Sequence, residues 1–205
     1  MRFKVAQMRR NGFTLVELLI VAVVIVALAA FVWPAITRKG SYRNAHRSSC
    51  QSNLKQIGLG FAQYIQDWDD FSPPISVGNQ GWAESLQPYL KSELMFQCPS
   101  VNNSTKNFSS DYFLNARSAG LQKSKINFPE QTIVFGEGSD NSSTNSHFSE
   151  LPFEWKSSEN SPAKRHLGGA NYGFVDGHVK WFMPQKLTGR THPRGGKRSA
   201  TFVVR

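Results

Sequence analysis

Hydrophobic and polar positions divide the chain into three stretches. Leu18 to Trp33 is apolar at every position. Counted from Phe13 to Ile36, the first stretch gives roughly 36 Å of helix at 1.5 Å per residue, enough to span a hydrocarbon layer of about 30 Å. Beyond Pro34 the pattern becomes amphipathic. Cys50, Leu54, Ile57, Phe61, Tyr64 or Ile65, and Trp68 recur at three- and four-residue steps and form one apolar stripe. Arg43, Arg47, Lys55, Gln56, Gln63 and Gln66 mostly fall on the opposite face. Gly40, Gly58 and Gly60 weaken this helix without ending it; Asp67, Asp69, Asp70 and then Pro73-Pro74 end it. The pattern thus predicts helix from Phe13 to about Asp69, roughly 85 Å long.

The third stretch reads as short strands and turns. Gly81 to Leu90 predicts a short helix, and Met95 to Pro99 a strand running into a turn. Ser109 to Leu114, Thr132 to Phe135 and Asn171 to Phe182 predict strands, and Gly136 to Ser149 a polar loop. Asp176-Gly177 is a hairpin signal, because a two-residue type I′ turn needs positive φ at both positions. In that register Phe174 faces Val179 and Tyr172 faces Trp181. The expected fold class is α+β: a long N-terminal helix, transmembrane and then amphipathic, packed on a C-terminal antiparallel β-sheet domain.

One charged residue breaks the first apolar stretch. Glu17 follows Gly12-Phe13-Thr14-Leu15-Val16, and a carboxylate at membrane depth costs several kcal/mol unless a partner neutralises it. Before it lies a basic leader with Arg2, Lys4, Arg9 and Arg10 and no acidic residue. An ordinary secretory signal, cut at Ala27-Leu28-Ala29, is the rival reading, but Glu17 would weaken its insertion for no gain. The twin arginine lacks the sequence context of a Tat signal. Basic residues ahead of the span keep the N-terminus cytoplasmic and place the remainder outside.

These residues resemble the type III signal of type IV pilins and type II secretion pseudopilins. The resemblance implies cleavage between Gly12 and Phe13 by a prepilin peptidase, N-methylation of Phe13, and an assembly role for Glu17, which becomes the fifth mature residue. Pro34 then takes mature position 22, where many pilins carry a helix-bending proline. A second resemblance lies further on. His166, nine intervening residues and Asp176-Gly177 match the H-X9-DG signature of a group of prepilin-type proteins. Cys50 to Leu59, Phe96 to Ser100, and Arg165-His166 through Asn171 to Val179 are similar to the same group, whereas Asn102 to Glu159 matches loosely. The organisation expected is a leader (1–12), a transmembrane half-helix (13–36), an amphipathic half-helix (37–70), a pilin-like head (71–185) and a basic flexible tail (186–205).

Charge narrows the function. The formal net charge is +10, but four basic residues lie in the leader and six in the last twenty positions, leaving the body neutral. A nucleic-acid surface is therefore not expected. Cys50 and Cys98 are the two cysteines. Outside the cytoplasm they are candidates for a disulfide, although two buried free thiols would look the same. Neither has a second cysteine or a histidine at ligand spacing, so no zinc site is expected.

His166, Asp176 and His178, with a serine or Glu137, were they to converge, could do acid–base chemistry. No G-x-S-x-G, H-E-x-x-H or phosphate-cradling loop accompanies them, and no catalytic residue is assigned. His166, Asn171, Asp176 and Gly177 are read as a structural clasp, with His166 at the hairpin base, bonded to a carbonyl or an acidic side chain, and Trp181 covering the long helix. No cofactor is expected. Calcium, held in a C-terminal loop of some major pseudopilins, would draw on Glu137, Asp140, Asn141 and Asp176, hard oxygen ligands at spacing that fits no EF-hand.

The function expected is a structural subunit of a type IV pilus or type II secretion pseudopilus, anchored once in a bacterial inner membrane with its head in the periplasm and assembling into a fibre. Its partners would be the prepilin peptidase, other pilin or pseudopilin subunits, an inner-membrane assembly platform and lipid. The alternative is a membrane-anchored extracytoplasmic binding or adhesion module exported by a prepilin signal; a hydrolase ranks third.

Overall fold

The computed structural model describes residues 14–37, 39–102, 107–188 and 200–204. It is α+β, an apolar N-terminal helix followed by a domain built on a mostly antiparallel sheet. The chain forms two compact units, residues 1–41 and 42–205. In the first, helix α1 covers Leu15–Thr37. Its side chains from Leu15 to Trp33 are all exposed, and this span has a mean hydropathy of 3.1 over 19 residues. By length and composition it can cross a membrane, as the apolar run predicts.

Helix α2 (Lys39–Asp67) lies in the second unit from Tyr42 on, and there its Cys50 to Ile65 face packs on a five-stranded sheet. Of the predicted stripe, Cys50, Leu54 and Ile57 are fully buried and Phe61, Tyr64 and Ile65 nearly so. Each buried aliphatic or aromatic side chain of this kind contributes about 1.5–3 kcal/mol. Trp68 departs from the stripe. It lies just past the helix end, 57% exposed, with its ring stacked on Tyr64 at 5.3 Å. The helix stops because Asp69 and Asp70 take left-handed φ of 49° and 64°, and the Asp70 N–H donates to the Ile65 carbonyl at 3.0 Å.

A small hairpin follows, β1 (Ser76–Val77) and β2 (Gln80–Gly81), leading into α3 (Trp82–Leu86) and a 3₁₀ turn at Gln87–Tyr89. Met95 to Pro99, expected as a strand running into a turn, forms no strand: its first two residues end a 3₁₀ turn over Glu93–Phe96. Ser92 accepts from the Leu94 N–H and starts that turn, a local bond that competes with strand pairing.

The main sheet comprises β3 (Ser110–Asn115), β4 (Ile133–Ser142), β5 (His147–Phe148), β6 (Ala170–Phe174) and β7 (Val179–Phe182), in the order β5-β3-β4-β6-β7. All neighbours are antiparallel except β3 and β5. Strand β4 continues to Ser142 through the stretch expected to be loop. Gly136 needs its missing side chain there, since a Cβ would sit 2.5 Å from the Phe113 ring and 2.8 Å from Tyr172. Glycine reads as loop in sequence but here marks close packing between strands.

Both faces of the sheet are covered, so β3 and β6 are buried at every position. Towards α2 lie Tyr112, Leu114 and Phe135, with Trp82 and Phe96 filling the gap; Phe61 meets Phe135 edge-on at 5.2 Å. The other face holds Phe113, Ile133, Tyr172 and Phe174 under Leu151 and Phe202, with Phe148 and Trp155 of α4 (Phe153–Ser157) packed against them. Phe202 follows β9 (Ala200–Thr201), which pairs in parallel with β8 (Leu187–Thr188). This corrects the expected tail of 186–205 at both its ends. Leu187, Ala200, Thr201 and Phe202 are buried, because the far face of the sheet needs an apolar cover that the basic composition conceals.

The hairpin β6–β7 differs in register from the expectation. Gly173 pairs with Val179, Tyr172 with Lys180 and Asn171 with Trp181. Phe174 and His178 close a three-residue loop, the Gly177 N–H donating to Phe174 O at 2.9 Å, and only Gly177 takes positive φ, at 86°. The connection is a three-residue turn with one left-handed residue rather than a two-residue type I′ turn. The one-residue slip places Tyr172 and Trp181 on opposite faces.

Candidate functional site

Two groups of residues stand out, one at the start of α1 and one buried beside α2. At the first, Thr14 precedes α1 and Glu17 is three residues on. The Thr14 N–H and hydroxyl each donate to Glu17 Oε2 at 3.0 Å, and the Glu17 N–H lies 3.3 Å from the Thr14 hydroxyl. This reciprocal pattern is a capping box. It satisfies backbone donors at the helix start and gives the carboxylate local partners in an apolar segment. The Thr-x-x-Glu spacing was legible in the sequence and gives Glu17 a local capping role. Gly12, Phe13 and the rest of the leader lie outside the described residues.

The second group centres on Glu137, midway along β4 and fully buried. Its Oε1 accepts from Asn171 Nδ2 at 2.7 Å and lies 3.1 Å from His166 Nε2. Asn171 Nδ2 also reaches the Arg47 carbonyl of α2 at 3.1 Å, so this one amide ties helix to sheet. His166 is 1% exposed and packs against the bridge between Cys50 and Cys98, with Nε2 3.6 Å from Cys98 Sγ. The bridge joins α2 to the loop after the 3₁₀ turn, with Cα atoms 5.4 Å apart. Beside it, buried Asp111 accepts from the N–H groups of Cys98 and Asn141, both at 2.7 Å. Burial pushes the Asp111 carboxyl above its ordinary range, against the pull of those N–H donors and of Arg165. Burial likewise pushes the Tyr112 and Tyr172 phenols up, and the Glu137 charge adds to it.

His166 is held through its backbone. It exchanges two hydrogen bonds with Gly169 across Leu167 and Gly168, whose φ values are 57° and 82°, and its carbonyl accepts the Trp181 indole N–H at 2.8 Å. His166 therefore sits at the base of the β6–β7 hairpin beside an acidic side chain. Trp181 shares the face of Asn171, which is bonded to α2. Asp176 is at the opposite end of β6, where its Oδ1 accepts from the His178 N–H at 3.1 Å and contacts His178 Nδ1 at 2.6 Å. The H-X9-DG residues thus bracket one strand and do not meet in a site. Lys55 of α2 donates to Gly177 O at 2.7 Å and Gln51 to Val179 O at 3.3 Å, fastening the turn end to the helix.

The oxygen ligands considered for calcium are not brought together either. Glu137 faces His166, Asp140 forms an ion pair with Arg165, and Asp176 contacts His178. Among the described residues, the cluster with metal-ligand geometry is Cys50, Cys98 and His166, donors from three separate elements. Spacing along the chain could not reveal it. A cleft of about 460 Å³ borders this group, lined by His46, Pro99, Ser100, Val101, Asn102, Arg165 and His166. His166 lines that cleft while only 1% exposed, and Glu137, in contact with it, is fully buried.

Residues 7–33 match the prokaryotic N-terminal methylation motif. No curated protein and no solved structure matches the chain significantly. The match covers the end of the leader and the apolar helix, so the prepilin-type start is shown and supports a pilin-like, membrane-anchored chain that is processed at this motif. The match does not extend to the head, where the H-X9-DG resemblance rests on the residues themselves.

Proposed function

We propose that this chain is a structural subunit of a type IV pilus or type II secretion pseudopilus. The observation that carries the reading is the methylation motif over residues 7–33, joined to an apolar helix whose first turn contains Glu17. In this reading a prepilin peptidase cuts after Gly12 and methylates the Phe13 amine, the N-terminus faces the cytoplasm and the head lies outside the inner membrane. The charged amine of one subunit pairs with Glu17 of its neighbour. In a low-dielectric bundle a misplaced subunit leaves both charges unpaired, which penalises wrong registers strongly. The head needs no active site for this role, and its buried Glu137–His166–Asn171 cluster acts as a clasp between α2 and the sheet.

Glu17→Ala separates pairing from insertion. Membrane insertion should be intact or improved, because an intramembrane charge is removed. Fibre incorporation should fall at least tenfold, while the lost cap costs the helix start only about 1 kcal/mol. Normal incorporation of the variant would sink the pairing mechanism.

A second reading, an anchored recognition module, has one feature in its favour. Tyr64, Trp68 and Tyr89 line an open groove of about 530 Å³ with Glu84 and Glu93, and Trp68 is exposed there. Abundance discriminates: a fibre subunit is plentiful, a recognition protein scarce.

A further inference from the structure

We propose that the groove beside the end of α2 receives the basic segment 189–199 of a second copy of this chain. The inference rests on the fibre reading and gives the groove a place within it. Tyr64, Trp68, Tyr89 and Phe108 supply its aromatic lining, and Glu84 and Glu93 its charge. None of the described residues that line it is basic.

Trp68 is held as a platform. Its indole stacks on Tyr64 at 5.3 Å with the planes 8° apart, and Tyr89 meets Tyr64 edge-on at 5.8 Å. The Tyr89 hydroxyl bonds the Trp68 and Asp67 side chains, which fixes the indole although it is 57% exposed. Neither Glu84 nor Glu93 forms an ion pair among the described residues. Glu84 is also fixed, since its Oε2 accepts from the Gly81 N–H and the Thr144 hydroxyl. An exposed indole face between unpaired carboxylates selects a cation. The cation–π contact alone raises affinity about two- to fivefold. Arginine suits such a place best, because its planar guanidinium stacks on rings and pairs with carboxylates.

Charge and position choose the occupant. Segment 189–199, which lies outside the described residues, contains Arg190, Arg194, Lys197 and Arg198 and no acidic residue. Its flanks, β8 and β9, are paired side by side, with Leu187, Ala200 and Phe202 in the core on the far face of the sheet. Tyr64, Tyr89 and Phe108 belong to the core on the α2 face. A segment that leaves and returns at one place reaches about 18 Å at most. Donor and acceptor are therefore different patches of the head, and each copy offers its segment to one neighbour and its groove to another. A head-to-tail contact of this kind propagates into a helical filament. Exposed ion pairs are individually weak, but neighbours in a fibre meet at effective concentrations on the order of millimolar, where a weak contact is populated.

The test titrates the full chain, in micelles of a neutral detergent and about 50 mM salt, with a synthetic peptide spanning residues 188–200, followed by calorimetry. The expected result is saturable one-to-one binding with a Kd of about 1 mM or below, weakened about threefold or more in about 0.5 M salt. Trp68→Ala and Glu93→Gln, each checked for native circular dichroism, should weaken it about threefold or more. A peptide with glutamine at every basic position should not bind. No saturation by about 5 mM peptide, unchanged affinity in both variants, or equal binding of the neutral peptide overturns the proposal. A chain whose own Arg190, Arg194, Lys197 and Arg198 are replaced by glutamine should bind the peptide equally well. Binding by that chain alone would mean that the chain's own segment fills the groove, which overturns the assignment to a second copy. Peptide binding needs neither cleavage nor a fibre, so its failure leaves the fibre reading standing, and that reading fails separately on the mass of the N-terminus.

Discussion

Reducing the Cys50–Cys98 bridge, in the presence of a chelator, should cost the head about 4 kcal/mol. The bridged residues are 48 apart in sequence. For a loop of that length, chain entropy lost from the unfolded ensemble is about 14 cal/mol/K, or about 4 kcal/mol at room temperature. Little native packing should change, since both sulfurs are fully buried and the thiols would stay as small apolar groups. A domain's total stability is about 5–15 kcal/mol, so the loss is a large fraction. The assay is urea unfolding of the full chain in mild micelles, followed by tryptophan fluorescence and circular dichroism. Trp82 is a suitable reporter because it is fully buried, 5.8 Å from Phe96 and 5.3 Å from Phe135 between ring centroids. With a slope of about 2 kcal/mol/M, the midpoint should fall by about 2 M. Free energies rather than midpoints should be compared, because the uncrosslinked chain exposes more surface and raises the slope. A loss below about 0.6 kcal/mol would refute the reasoning and mean that the bridge adds nothing to the clasp.

Two further outcomes test the head. Gly177→Val should destabilise it by about 1–3 kcal/mol, because φ of 86° is costly for a β-branched residue; an unchanged urea midpoint would show that the turn adapts. Asp111 titrates upward from its ordinary 3.8 through burial, so just above that pH the native state keeps a proton that the unfolded chain has lost. Its contribution to stability therefore falls as pH rises through that window, and Asp111→Asn removes the slope. The free-energy difference, native chain minus variant, measured from about pH 4 to pH 6, should decline; a rise would contradict the assignment.

The elements that repeat a simple period were legible in the sequence. Leu18 to Trp33 has no polar face to hide, and Cys50 to Ile65 recurs every turn, so both helices follow from spacing alone. Strand β4 was half hidden. Ile133-Val134-Phe135 is evident, but Gly136, Gly138 and Asn141 read as loop because their fit depends on Phe113, Tyr112 and Asp111 from another strand. The hairpin was visible and its register was not. Asp176-Gly177 fits a two-residue or a three-residue loop, and the choice falls to packing, which places Tyr172 in the far core while Asn171 is bonded to α2. In the site, His166 and its position at the hairpin base could be read from the motif. Its partner Glu137 could not, since 29 positions separate them and only the β4–β6 pairing brings them together.

The central claim, a prepilin-type subunit, is tested most directly by intact-mass spectrometry of the chain extracted from membranes. The account predicts a mature protein that begins at Phe13 and carries one methyl group on its amine. A mature start near Ala30, or an uncut and unmethylated N-terminus in cells with an active prepilin peptidase, would contradict it.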